Sequence, residues 1–194
     1  MTVKGIANGI GWGFDCLGSS VQHLLDTKPT AIWPYITGND GIAWTPEEID
    51  HFRRQGVAVY LVNQGFMQSP AEALTGDEFD FEVGAWTLPE LVAVVEARRK
   101  ASWSTRVYCN WSNYGLIKQA LAEAGAGRSV FFRIADWNLD QHTADLELHA
   151  DVYAGQWASP THNPATLVPG TNITLAEARA DLSVVLREST GWQG

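Results

Sequence analysis

The chain reads as an α/β protein: one trimmed, TIM-like (β/α) barrel over residues 1–194, with reduced helices in its last three units. Three observations predict this. Short β-rich runs alternate with helical patterns, as βα units around a parallel sheet do. Eight such runs follow one another, the number a barrel needs, although such barrels usually take about 200 residues or more. Polar residues stand at nearly every run's C-terminal end, which is where barrels keep their function. No repeat, linker or low-complexity tract divides the sequence, and 194 residues suit one domain.

The runs come in order. WGFDCLG is the first, followed by a short helix in SSVQHLLD. AIWPYITG is the second and VAVYLVNQG the third. Between them, TPEEIDHFRRQG has Thr45 as N-cap, Pro46 in the first turn, Glu48 to complete a capping box and Gly56 as a stop. EFDFEVG is the fourth run. The helix TLPELVAVVEARRKA repeats the capping device with Thr87 and Glu90 and ends in basic residues that suit a helix C-terminus. RVYCNWS is the fifth. SNYGLIKQALAEAG then carries an apolar stripe at Leu116, Ala120 and Leu121 and stops at Gly125. VFFRIADWN and VYAGQWA are the sixth and seventh, separated by a weaker helix in LDQHTADLELHA. After the Pro/Asn/Thr-rich loop SPTHNPATLVPGTN, the segment TLAEARADLSVVLRE fits a helix through Leu175, Ala178, Leu182 and Val185, and DLSVV also fits a strand. The reading adopted is a short helix and then a strand from near Asp181.

The fourth run raises a chemical question. In GDEFDFEVG, Glu78, Asp80 and Glu82 alternate with Phe79, Phe81 and Val83. A strand sends the two sets to opposite faces. Asp80 and Glu82 then point the same way with Cβ atoms roughly 6–7 Å apart. Two carboxyls that close interact, and the less solvated one titrates late. An acid and a carboxylate can thus coexist near neutral pH. An edge strand with a solvated acidic face gives the same alternation.

Composition narrows the function classes. Hydrophobic residues make up 45% and charged residues 18%, which is globular. The net charge of −9 argues against a nucleic-acid partner, and no run is long enough to insert in a membrane. The N-terminus MTVKGIANGIGWGFD does not read as a secretory signal peptide. Cys16 and Cys109 suit buried small hydrophobes better than a disulfide or zinc site. Of nine tryptophans, Trp12, Trp44, Trp86 and Trp157 sit beside turn residues, where rings can stack on sugars or simply pack.

Two patterns are decoys. Asp136, Asn138, Asp140 and Glu147 occupy positions one, three, five and twelve of an EF-hand-like loop, but Gln141 stands where the turn needs glycine and a strand precedes it. His23, His51, His142, His149 and His162 lack ligand spacing, so no metal or other cofactor is expected.

The polar strand ends are Asp15, Tyr35, Asn63 with Gln64, Asp80 with Glu82, Asn110, Asp136, Gln156 and Asp181. With GFD on the first strand, DFE on the fourth, then RVYCN, RIADWN, AGQWASP and a final ADLSVV, the ordered set resembles glycoside hydrolase family 25, the barrel muramidases of phages and bacteria. It resembles most closely the family 25-like barrels of actinobacteriophage virion proteins. Such barrels have five βα units and then three strands with reduced helices. The resemblance implies a peptidoglycan muramidase without cofactors. Glu82 would be the general acid. Asp80 would steady a cyclic intermediate formed by the substrate's own N-acetyl group, the substrate-assisted exception to the two-carboxylate scheme. Asp15 would be a further catalytic carboxylate. Asp181, Tyr35, Asn63, Gln64, Asn110, Asp136, Gln156 and Trp157 would bind the glycan strand.

The sequence departs from the family pattern at Cys16-Leu17-Gly18, at ITGND and at LVNQG, positions that bear on substrate binding. The intact acid pair favours hydrolysis. The departures, the absence of a wall-binding module and the negative charge favour the alternative: a non-catalytic virion module, of tail or capsid, that binds the cell wall or other virion proteins. Either way the expected location is the phage particle or the host cell wall.

Overall fold

The computed structural model describes residues 11–16, 18–36, 43–64, 75–82, 86–137, 146 and 148–186. The fold is mixed α/β: a curled, nine-stranded sheet shaped as a half-barrel, with few helices. The strands are β1 (Gly11–Cys16), β2 (Ala31–Ile32), β3 (Ala58–Val59), β4 (Val62–Asn63), β5 (Glu78–Asp80), β6 (Thr105–Asn110), β7 (Val130–Ala135), β8 (Val152–Ala158) and β9 (Ala180–Val185). Their spatial order is β3-β2-β1-β9-β8-β7-β6-β5-β4. Among the described residues the helices are α1 (Pro46–Arg54), α2 (Leu88–Lys100), α3 (Trp111–Glu123) and α4 (Leu175–Ala178), with 3-10 turns at Gly18–Leu24 and Gly127–Ser129.

Helix starts follow the sequence closely. Thr45, Thr87 and Thr174 each sit at an N-cap in extended conformation, and each forms a capping box with the glutamate three residues on. These bonds are local, so tertiary context has little to override. The expected helix in SSVQHLLD is a 3-10 turn instead. The weak helix and the EF-hand-like spacing after Asp136 fall mostly outside the described residues.

Two strand expectations need refining. AIWPYITG contributes only Ala31–Ile32 to the regular ladder, because Pro34 has no N–H to donate. Pairing resumes as an isolated bridge between Tyr35 and Val62, with Pro34 used only as an acceptor, from the Val62 amide at 2.9 Å. VAVYLVNQG forms two short strands, β3 and β4, separated by Tyr60 and Leu61. These two strands are the two edges of the sheet. On one side the segment donates from Tyr60 to Ile32 at 3.0 Å. On the other, Leu61 accepts from Asp77 at 2.7 Å and Glu78 at 3.1 Å.

The sheet is also not wholly parallel. β9 runs antiparallel to both β1 and β8. A parallel strand needs a crossover that returns the chain to the far end of the sheet. The link from β8 to β9 holds a helix of only four residues, α4, which ends at Arg179 in the left-handed conformation with φ 51°. β9 therefore starts where β8 ends, with Ala158 opposite Leu182.

Alternation divides the core in two. Phe14, Ile32, Phe79, Val107 and Phe132 face the helices and pack with Phe52, Leu91 and Ile117. Trp33, Tyr35, Tyr60, Tyr153 and Val185 face the concave side. Gly13 leaves room for this inner layer: a Cβ there would stand 2.4 Å from the Ala31 carbonyl oxygen and 2.5 Å from the Trp33 ring.

Candidate functional site

The concave face of β5 carries both a structural and a reactive-looking carboxyl. Phe79 and Phe81 are buried among the helices, as the alternation predicts. Glu78 and Asp80 are not solvated: their exposures are 0% and 2%. β5 lies between β4 and β6, so the edge-strand alternative does not describe this stretch.

Glu78 is fully compensated. The Arg133 guanidinium approaches its Oε1 to 2.7 Å through Nη2 and donates to it through Nε at 2.9 Å. The Tyr153 hydroxyl donates to Oε2, and that hydroxyl accepts from Trp33 Nε1 at 2.7 Å. Arg133 packs on two rings, 4.7 Å from the centre of Trp33 and 4.3 Å from that of Tyr108. Arg106 covers Tyr60 at 4.4 Å. Burial first, then the charge of Glu78, holds the Tyr153 phenol well above its usual range.

Asp80 is the opposite case. Its Oδ2 accepts from Gln64 Nε2 at 3.4 Å, and its Oδ1 is buried with no hydrogen-bond partner among the described residues. Burial is the main reason its pKa is pushed up to about 8; the neighbouring charge of Glu82 adds to this, and Arg133 opposes it. Glu82, two residues on, is exposed. One member of the DFE pair thus holds a proton at neutral pH, and it is Asp80.

The remaining strand-end residues divide by what their side chains do. β1 to β8 run parallel, so their polar C-terminal ends share one edge of the sheet with the start of β9. Asp15 and Asp181 are direct cross-strand partners at that edge; the Asp15 side chain lies outside the described residues. Gln156 is buried on the concave side, and its strand neighbour Ser183 has a buried hydroxyl with no partner among the described residues. Asp136 accepts from Trp111 Nε1.

Three of the expected binding residues have structural contacts. Asn110 caps α3, accepting from the Asn113 amide at 3.0 Å and from the Ser112 hydroxyl at 2.7 Å. Asn63 is buried and donates to the Thr75 carbonyl at 3.1 Å. Trp157 packs in the helix-facing layer, as does Trp44. Tyr35 belongs to the concave aromatic layer.

Sequence reasoning passed over Glu78, Arg133, Tyr153 and Trp33 as a unit. One signal was present: Arg106 and Arg133 are charges inside otherwise apolar strand runs, and a buried cation requires an acidic partner. It also passed over a stack at the rim, where Trp137 and His162 lie 4.3 Å apart and 3° from parallel. His162 is fixed by the Ser159 hydroxyl at 2.8 Å from Nδ1.

Two surface depressions lie elsewhere. One of about 340 Å³ flanks the end of α3 beside Lys118 and Arg128; the other, about 350 Å³, is formed by the loops that lead into β2 and β3, at the end of the sheet opposite Asp80. Among the described residues no three histidine, cysteine or carboxylate side chains are grouped to hold a metal ion, and no helix is long and apolar enough to cross a membrane. No protein-family model matches the chain, and no curated protein or solved structure is significantly similar to it.

Proposed function

We propose that the chain is a muramidase-like glycoside hydrolase of a bacteriophage, cleaving peptidoglycan glycan strands at the edge of the sheet that carries Asp80 and Glu82. The observation that carries this reading is Asp80, a buried carboxyl at a strand's C-terminal end whose pKa lies near 8, beside an exposed second carboxyl. The fold reading behind it is a trimmed (β/α) barrel. It is supported by the two sheet edges, β3 and β4, being parts of one segment with hydrogen bonds on both sides.

The chemistry runs on one proton. The acetamido N–H of a bound sugar gives Asp80 Oδ1, which has no partner among the described residues, a donor, and this favours the ionised form. Asp80 releases its proton to Glu82, and Glu82 delivers it to the glycosidic oxygen. The bond from that oxygen to the sugar carbon breaks as the acetamido oxygen attacks the same carbon. The cyclic cation that forms keeps its N–H on the Asp80 carboxylate. Water then opens the ring, Glu82 takes the water's proton, and Asp80 is reprotonated on product release. Asp15, Asp181 and Gln156 would hold the sugar at this edge.

The test is release of reducing sugars from purified peptidoglycan. Glu82→Gln keeps shape and removes the transferable proton, so the rate should fall by about 10²–10⁴-fold with glycan binding retained. Equal activity of wild type and Glu82→Gln would falsify the assignment. A second reading, a virion tail or capsid module that binds without turnover, is favoured by Asn110, Asn63 and Trp157 being engaged in capping and packing. It predicts glycan binding by wild type with no sugar released.

A further inference from the structure

The buried cation that shares a cross-strand row with the reactive carboxyl pairs with a different one. Asp80, Tyr108 and Arg133 are register partners across β5, β6 and β7, so they begin in one cross-strand row. Glu78 begins in the row below, opposite Arg106. The Arg133 side chain nonetheless reaches diagonally to Glu78, at 2.7 Å, and both groups are completely buried. Tyr153 donates to the other Glu78 oxygen, and the guanidinium also packs on the rings of Trp33 and Tyr108. Asp80, in the row where Arg133 starts, is left with a buried oxygen that no described residue satisfies.

We propose that Glu78 is a positioning residue for the hydrolysis inferred above: by engaging Arg133 in a buried ion pair, it leaves Asp80 a neutral acid. The inference rests on that reading for its purpose but not for its geometry. A free guanidinium in this low-dielectric interior would favour the charged form of any carboxyl it faced. Among the described residues, the groups acting on Asp80 are Glu78 and Glu82 from its own segment, Gln64 from the end of β4, and Arg133 from β7. Arg133 is the only cation among them. Removing Glu78 therefore acts twice in the same direction: it takes away one negative neighbour of Asp80 and breaks the ion pair that Arg133 makes with it. Removing Glu78 and Arg133 together deletes opposing influences, and Asp80 stays neutral.

The experiment is a carboxyl carbon-13 NMR titration of Asp80 in the full chain, without substrate. In wild type the midpoint should lie at about 8. In Glu78→Gln it should fall by about 1 to 3 pH units, the usual effect of an unmasked opposite charge at close range. In the double variant Glu78→Leu/Arg133→Met it should lie at or above the wild-type value, because the lowering influence of Arg133 outweighs the raising one of Glu78. An apolar replacement of a buried ion pair is often neutral or stabilising, so the double variant remains decisive if the single one fails to fold. An unmoved midpoint in folded Glu78→Gln overturns the inference, and so does a lowered midpoint in the double variant. The alkaline limb of peptidoglycan cleavage should move to lower pH in Glu78→Gln, together with the Asp80 midpoint. Loss of the muramidase reading is separately visible: a protein that shows the NMR shift and releases no sugar keeps Glu78 in this role and loses only the hydrolase assignment.

Discussion

Glu78 and Asp80 lie two residues apart on the same face of the same strand, almost equally buried, and they behave differently. Glu78 has a guanidinium and a phenol at its oxygens. Among the described residues, Asp80 has one long hydrogen bond, and its other oxygen has no partner. Burial alone therefore does not decide what a carboxyl does. The partners do: a compensated carboxyl anchors the interior, while an uncompensated one holds a proton where water would normally take it.

The largest effect should come from removing the uncompensated group. The Asp80 pKa of about 8 in the folded chain lies above the value of 3.8 expected for the exposed, unfolded group. The folded state thus binds the proton more tightly. Its stabilising effect is complete below pH 4, declines as pH rises from there, and is gone above pH 8. Across that window the loss is on the order of 5 kcal/mol. Asp80→Asn cannot titrate, so thermal unfolding should show it gaining on wild type steadily from pH 4 to 8. Parallel curves for the two proteins would mean that Asp80 is solvated.

Next comes the compensated group. Arg133→Met alone leaves Glu78 buried without its cation and should cost about 3–5 kcal/mol in urea unfolding. Glu78→Leu/Arg133→Met should recover most of this. A single variant as stable as the double would show that the pair is not desolvated.

Gly13→Ala should cost about 1–3 kcal/mol, since the new methyl meets backbone as well as the Trp33 ring. Trp33 touches Glu78 through Tyr153 and also packs on the Arg133 guanidinium, so a displaced ring should move the Asp80 titration as well. Smallest is Thr45→Ala, which removes the cap of α1 far from both carboxyls. It should cost about 1 kcal/mol in chemical denaturation and leave the Asp80 titration untouched.

Much of this difference was legible in part. Alternation in EFDFE placed Phe79 and Phe81 in the helix-facing core, and the Asp80–Glu82 spacing announced that one carboxyl would titrate late. Which one depended on depth, and depth depends on the strands either side of β5. Asn110 looked like a pocket residue because it ends a strand; the helix that starts at the next residue claims its side chain as a cap. Trp157 follows Gln156, and alternation turns the two to opposite faces.

The sequence by itself determined the helix starts at Thr45, Thr87 and Thr174, because each rests on bonds within a few residues, and it offered a final strand near Asp181. Tertiary structure alone decided the direction of β9, the meeting of its Asp181 with Asp15, and the union of Glu78 with Arg133 and Tyr153 from 55 and 75 residues away. Those contacts join distant parts of the chain, and they decide which buried carboxyl meets a cation.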